Sequence, residues 1–185
     1  MRHSWLVVVI AVVSGCHLRA GYDAAARVNG PLDAVMNHAS VSRTDGVVNL
    51  PATGGHNYSL EAGFGNSKIT VNSLLAVHDV TSNSFTPGAG YLATTLGANV
   101  RWMVLRWKGL SPTLAAGPAK LMLVDRSSGE RVWGNAVRFG GGAQYQLGPI
   151  AIYGDVYREM VAFSSGAANG TTTLDGVTVG VALQP

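Results

Sequence analysis

The chain has 185 residues, of which only 12% are charged and 24 are glycine. Charge is about half its usual share and glycine about twice, which disfavours a helical bundle and favours many short strands joined by turns. The net charge of +3 does not point to a nucleic-acid partner.

Arg2 and His3 open the chain. The nine-residue apolar run "WLVVVIAVV", Trp5 to Val13, follows. It is too short to cross a bilayer as a helix and suits the apolar core of a secretory signal. It leads into "VSGC", Val13 to Cys16. This stretch resembles the bacterial lipoprotein signal, in which an apolar residue and two small ones precede a cysteine that is lipidated and becomes the first residue. The alternative is an ordinary signal peptide that happens to contain a cysteine. On the lipoprotein reading, residues 1–15 are a signal peptide and Cys16 is the lipidation site. Cys16 is the only cysteine, so no internal disulfide forms. The resemblance implies a destination as well. His17 stands where an aspartate would imply inner-membrane retention, so the outer membrane of a Gram-negative bacterium is expected.

Residues 17–40 show no clear strand alternation, and Asn29-Gly30-Pro31 would interrupt a helix begun at Asp23. Residues 16–40 therefore read as a lipidated periplasmic tether. From Val41 alternating runs take over, and 41–185 reads as one barrel domain. The predicted strands are 41–50, 57–65, 67–79, 90–106, 113–124, 134–147, 149–163 and 172–183. The clearest hairpin is "VRFGGGAQYQLGPIAIYGDVYREMV", Val137 to Val161, where period-two alternation runs either side of a Gly-Pro turn. Strand 113–124 fits least well, because Leu121 to Val124 do not alternate. Short connections such as "NS", "WKGLSP" and "GP" take turns with longer polar ones such as "LPATGGH", "TSNSFTPGA" and "SSGAANGT". Short turns on one side and long loops on the other mark outer-membrane barrels. An even strand number puts both ends on the periplasmic side, where a lipid on Cys16 would also sit.

Sorting the strands by parity gives two faces. One carries Leu60, Phe64, Ile69, Val71, Leu96, Trp102, Phe139, Tyr145 and Val179, and among the residues sorted to it only Arg158 is charged. The other is rich in Gly, Ala, Ser and Thr and holds Glu61, Arg101, Arg138, Asp155 and Glu159. A face that small suits the interior of an eight-stranded barrel, which side chains just fill. Charges of both signs there can pair, as buried charges must. The predicted fold is therefore all-β: an up-and-down antiparallel eight-stranded β-barrel of the transmembrane type, apolar face toward lipid.

"LGANVRW" with "LSPTLAAGPA", then "GGGAQYQLGPIAIYGDVY", then "LDGVTVGVAL" resemble the small outer-membrane β-barrel superfamily of opacity-protein, OmpW and OmpA/OmpX-like proteins. The resemblance covers roughly residues 41–185. It implies insertion by the outer-membrane assembly machinery, membrane lipid as the surrounding partner, and a structural or surface-interaction role whose extracellular partner it does not name. Two departures stand out. The chain ends "ALQP" where the family usually ends in an aromatic residue, and most members lack a lipobox. A soluble, lipid-anchored, lipocalin-like barrel that binds an apolar ligand is the alternative.

No metal-ligand spacing, phosphate loop or cofactor fingerprint occurs in the sequence, so no cofactor is expected. "LPATG" at residues 50–54 matches a sortase pentapeptide but lies far from a C-terminal sorting context. His56 and His78, with Ser59, Ser82, Ser84 and Asp79 near them in sequence, are the residues a lipid-modifying enzyme would use. Spacing shows neither a positioned base nor an orienting group, and no catalytic residue is assigned. Glu61, Arg101, Arg138, Asp155 and Glu159 are the sharpest cluster: an interior salt-bridge network that fills a closed barrel, or a narrow polar pore.

Overall fold

Alternation runs through every long element of the computed structural model, which describes residues 15–29, 50–51, 57–81, 90–126, 129, 131–163 and 171–184. The strands are β1 (Cys16–Asn29), β2 (Leu50–Pro51), β3 (Tyr58–Gly65), β4 (Ile69–Thr81), β5 (Gly90–Met103), β6 (Leu110–Asp125), β7 (Arg131–Leu147), β8 (Ile150–Phe163) and β9 (Thr171–Leu183). From β3 to β9 each pairs antiparallel with the next. β1 pairs with both β3 and β9, which closes an eight-stranded up-and-down barrel. The two-residue β2 pairs only with the far end of β1.

Register fixes the barrel's shape. Stepping across paired residues from Arg27 to Asp175, Arg158, Phe139, Ala116, Val100, Val71 and Phe64 returns to β1 at Cys16. The path comes home eleven residues from its start, one of them taken up by a bulge between Asp23 and Ala25. A closed sheet with that stagger must tilt its strands by roughly 40° to the axis.

The tight turns explain which end is which. Lys108 and Gly109 both have positive φ, 47° and 86°, as a two-residue hairpin of the primed type requires. Gly148, at φ 66°, does the same for the turn between β7 and β8. Both turns lie at the end of the barrel that holds Cys16 and Leu183, so the two ends of the barrel chain share that rim. The loop asymmetry is uneven: residues 104–109 at this end are no shorter than 126–130 at the other.

The first strand differs from expectation. Residues 16–29, read from sequence as a tether, form β1. Of the expected strand 41–50, residues 41–49 lie outside the described residues, as do residues 1–14 of the expected signal peptide. Alternation is present in β1: Leu18, Ala20 and Tyr22 point outward while His17, Arg19 and Asp23 are buried inside. It is cut short by the bulge, which shifts the phase, and the alanines after it carry no strand signal. β6 resolves the other ambiguity. Leu121 and Leu123 point inward while Lys120 points out, so alternation is intact but both faces are apolar there.

The interior has two halves. Toward the long-loop end Tyr91, Leu121, Leu123, Val132, Val161, Phe163 and Leu174 pack into one apolar cluster. Toward the short-turn end the interior is polar. The outer wall is the reverse of a soluble protein's: Phe64, Val71, Leu96, Trp102, Leu114, Trp133, Val156 and Val181 are all exposed.

Candidate functional site

Four strands bring the lumen charges together. Arg101 of β5 reaches Glu61 of β3 through Nη2 at 3.0 Å and Asp155 of β8 through Nη1 at 2.9 Å. Asp155 also accepts from Arg19 of β1 at 3.0 Å. The result is an alternating line, Glu61–Arg101–Asp155–Arg19, across the short-turn half of the lumen. Thr113 receives a hydrogen bond from Arg101 at 3.3 Å. The Arg19 guanidinium also lies 3.7 Å from the centre of the Tyr153 ring, a cation–π contact.

A second cluster stands above it. Arg138 of β7 lies over the Tyr157 ring at 3.7 Å and 3.7 Å from Glu159, an ionic contact beyond hydrogen-bond reach. Glu159 accepts from the Thr95 hydroxyl at 3.0 Å. Tyr157 donates its hydroxyl to Asp23 of β1 at 3.0 Å, and Asp23 also accepts from Thr178. His78 of β4 places Nδ1 3.1 Å from the same carboxylate. Asp23, His78 and Glu159 are all 0% exposed, so each depends on these neighbours rather than on bulk water.

All five sequence-predicted charges thus face the lumen, in two groups: Glu61, Arg101 and Asp155 in the lower, Arg138 and Glu159 in the upper. Sequence reasoning misses Arg19 and Asp23, because residues 16–40 read as a tether. The alternation of His17, Arg19, Gly21 and Asp23 against Leu18, Ala20 and Tyr22 is the signal that could have found them.

Small residues make room for this filling. A Cβ on Gly176 would overlap the Tyr157 hydroxyl, and one on Gly21 would overlap the Tyr153 hydroxyl. Each ring lies over bare backbone of the strands beside it: Tyr157 over its cross-strand partner Gly176 of β9, and Tyr153 across Gly180 of β9 toward Gly21 of β1. Replacing Gly176 by Ala is expected to displace Tyr157 from Asp23 and to cost about 1–3 kcal/mol, the range for overpacking a filled interior. A shift of the urea midpoint checks it.

The space left among these side chains is about 20 Å³, room for about one water. Below it an open vestibule of about 190 Å³ faces the short-turn rim, bounded by His17, Met103, Ser111, Gln144 and Gln184. Gln144 and Gln184 exchange hydrogen bonds at 3.1 Å there.

Of the candidate enzyme residues, His78 is sealed against Asp23 and Ser59 is buried in the lumen wall. Asp79 is held by Arg126 at 2.7 Å. His56, Ser82 and Ser84 lie outside the described residues. Cys16 begins β1 at the short-turn rim, its Cα paired with Phe64.

No protein-family model matches the chain and no curated protein matches it. Among solved structures it is similar to neisserial surface protein A, with TM-score 0.63 and 12% identity over 93% of this chain and 98% of that one. It is also similar to the outer membrane protein OprG from Pseudomonas aeruginosa, with TM-score 0.51 and 13% identity over 93% and 96%. At these identities the likeness is one of fold, and the fold is that of the small outer-membrane barrels.

Proposed function

We propose that the chain is an outer-membrane β-barrel with a structural or surface-interaction role, its lumen closed to ions and its long loops turned outward. One observation carries this reading: the molecule is inside out relative to a soluble barrel. Charged residues from five strands pair in the lumen, while leucines, valines and aromatic rings stand exposed on the outer wall. Lipid is the medium that makes such a wall stable. A lipocalin-like carrier needs an apolar interior cavity, and here the space among the paired charges is about 20 Å³ and the vestibule below it is lined by polar side chains such as His17, Ser111, Gln144 and Gln184. The same filling and the apolar cluster above it argue for a plug rather than a pore. The burial of His78 against Asp23 supports a non-enzymatic role.

The N-terminus is assigned to the periplasm, because Cys16 stands on the rim that carries the tight turns. Acylation of Cys16 would place a lipid beside the first strand, with no tether between. Insertion itself would draw on the outer-membrane assembly machinery.

Fractionation tests the reading. A Cys16→Ser variant is expected to stay in the membrane pellet after alkaline extraction, since the barrel wall and not the lipid holds it. Release into the soluble fraction would refute the transmembrane assignment. Metabolic palmitate labelling is expected in the parent and lost in the variant. An unlabelled parent would leave a barrel without the lipid.

A further inference from the structure

The short-turn rim carries charge of one sign. Its turns, residues 65–68, 104–109 and 148–149, are all described. Their charged residues are Lys68, Arg106 and Lys108, with no acid among them. No salt bridge among the described residues involves any of the three. Glu61 and Asp155, the acids of this half of the barrel, face the lumen, where Arg101 and Arg19 hold them. The end of β9, which leads to Pro185, is separated from the turn at 104–109 by the hairpin of β7 and β8.

Lys108 sits at the tip of that turn. Among the described residues it is the one residue other than glycine with positive φ, at a position that asparagine or glycine would fill with less strain. Backbone strain of this kind collects where a side chain is put to use. The turn is pinned: Trp107 and Leu110 exchange backbone hydrogen bonds at 2.8 Å, and Gln146 of β7 donates to the Gly109 carbonyl at 2.9 Å. The Lys108 ammonium lies 5.2 Å from the centre of the Trp107 ring. Leu105, Trp107, Trp102 and Tyr145 are all exposed here, and exposed aromatic rings on a barrel wall mark the level of the headgroups. Higher on the wall is an open groove of about 580 Å³, bounded by Val100 and Trp102 of β5 and Phe139 of β7, with Leu114 and Ala116 of β6 between them. Leu114 stands four residues up β6 from Leu110 at the turn. With a rise of about 3.3 Å per residue and a tilt of about 40°, the groove begins roughly 10 Å above the rim.

We propose that this turn and the groove above it hold an anionic glycerophospholipid of the leaflet at the short-turn end, its phosphate at Lys108 and an acyl chain in the groove. The proposal rests on the transmembrane reading. Charge and polarity together select the occupant. The rim offers cations at the headgroup level and the wall offers an apolar groove above them, in the order in which a phospholipid carries phosphate and chain. Lys68 and Arg106 add to the attraction without touching the phosphate, since each basic side chain near the membrane surface favours anionic lipid. A second copy of the chain side by side would bring three more cations to the same level. A soluble acidic chain would leave the groove unfilled.

Tryptophan quenching in vesicles tests this. In a Trp5→Phe/Trp133→Phe background the emission comes from Trp102 and Trp107. The protein is reconstituted in phosphatidylcholine vesicles in which a brominated lipid, either phosphatidylglycerol or phosphatidylcholine, replaces a rising fraction of the whole. Brominated phosphatidylglycerol is expected to reach half-quenching at a fraction lower by about three-fold or more. The preference should fall toward equality in roughly 1 M salt, where the screening length is about 3 Å. The triple variant Lys68→Gln/Arg106→Gln/Lys108→Gln is expected to lose the preference, and Lys68→Arg/Lys108→Arg to keep it. Equal quenching of the parent by the two lipids, or a preference that survives in the triple variant, overturns the proposal. If the triple variant fails to fold, Lys108→Gln alone serves: it is expected to lower the preference, and a preference equal to the parent's overturns the proposal. Ala116→Phe fills the groove and is expected to bring the two lipids closer together, whereas an unchanged preference overturns the groove as the seat of the chain. Protein that fails to float with vesicles refutes the transmembrane reading, whereas protein that floats and is quenched equally refutes the lipid site alone.

Discussion

Arg101→Met is expected to destabilise the barrel by roughly 3–5 kcal/mol, the cost of removing one partner from a buried ionic group. Arg101 touches two carboxylates, Glu61 and Asp155. Methionine keeps an unbranched apolar stem but leaves Glu61 without the salt bridge to Arg101 and Asp155 with only the one to Arg19. A companion variant, Arg101→Met with Glu61→Gln, should recover part of the loss, because it removes the stranded charge. Arg138→Met should cost less than Arg101→Met, since Arg138 lies 3.7 Å from Glu159 and Thr95 still donates to that carboxylate. Urea unfolding in micelles measures each step, and planar-bilayer recording measures conductance. A loss of 3 kcal/mol or more with no current identifies a plug. A loss of ~1 kcal/mol or less, as for solvent-screened pairs, together with a new current would identify a water-filled lumen and refute the closed reading.

Leu123→Ala is expected to cost about 2–5 kcal/mol, the range for cutting a buried leucine back to alanine. Leu123 is 2% exposed and packs in the apolar cluster at the long-loop end. The variant should shift the urea midpoint without changing the slope, because the surface exposed on unfolding hardly changes. It should not open a current, because both charge clusters lie between this end and the vestibule. The two variants together therefore ask whether the lumen is closed once or twice along its length. A current in Leu123→Ala alone would mean that the apolar cluster is the only seal.

Strand alternation was legible wherever the two faces differ in chemistry. The hairpin of β7 and β8 shows it best. Arg138, Gln144, Tyr153 and Glu159 fall on one side, Val137, Phe139, Ile152 and Val156 on the other, and burial follows the same division. It was illegible where that contrast fails. In β6 both faces are apolar near Leu121 and Leu123, because the interior itself turns apolar there. In β1 the run is short, a bulge shifts its phase, and the residues beyond are mostly alanine.

The sequence by itself determined that this is a barrel with charge inside and apolar residues outside, because period-two order and the size of side chains act locally and need no knowledge of partners. It also named five lumen charges, since parity alone assigns a residue to a face. Only the tertiary structure decided which charge meets which. Arg101 and Glu61 are 40 positions apart in the chain, and their contact depends on the registers in which β3 pairs with β4 and β4 with β5. The closure of β1 against β3 and β9 brought in Arg19 and Asp23, and the register of β8 with β9 put Tyr157 over Gly176 and Arg158 beside Asp175 on the outer wall. Register is a property of the closed ring: sliding any one strand by two residues preserves its faces but changes every pair, so it cannot be read from a strand taken alone.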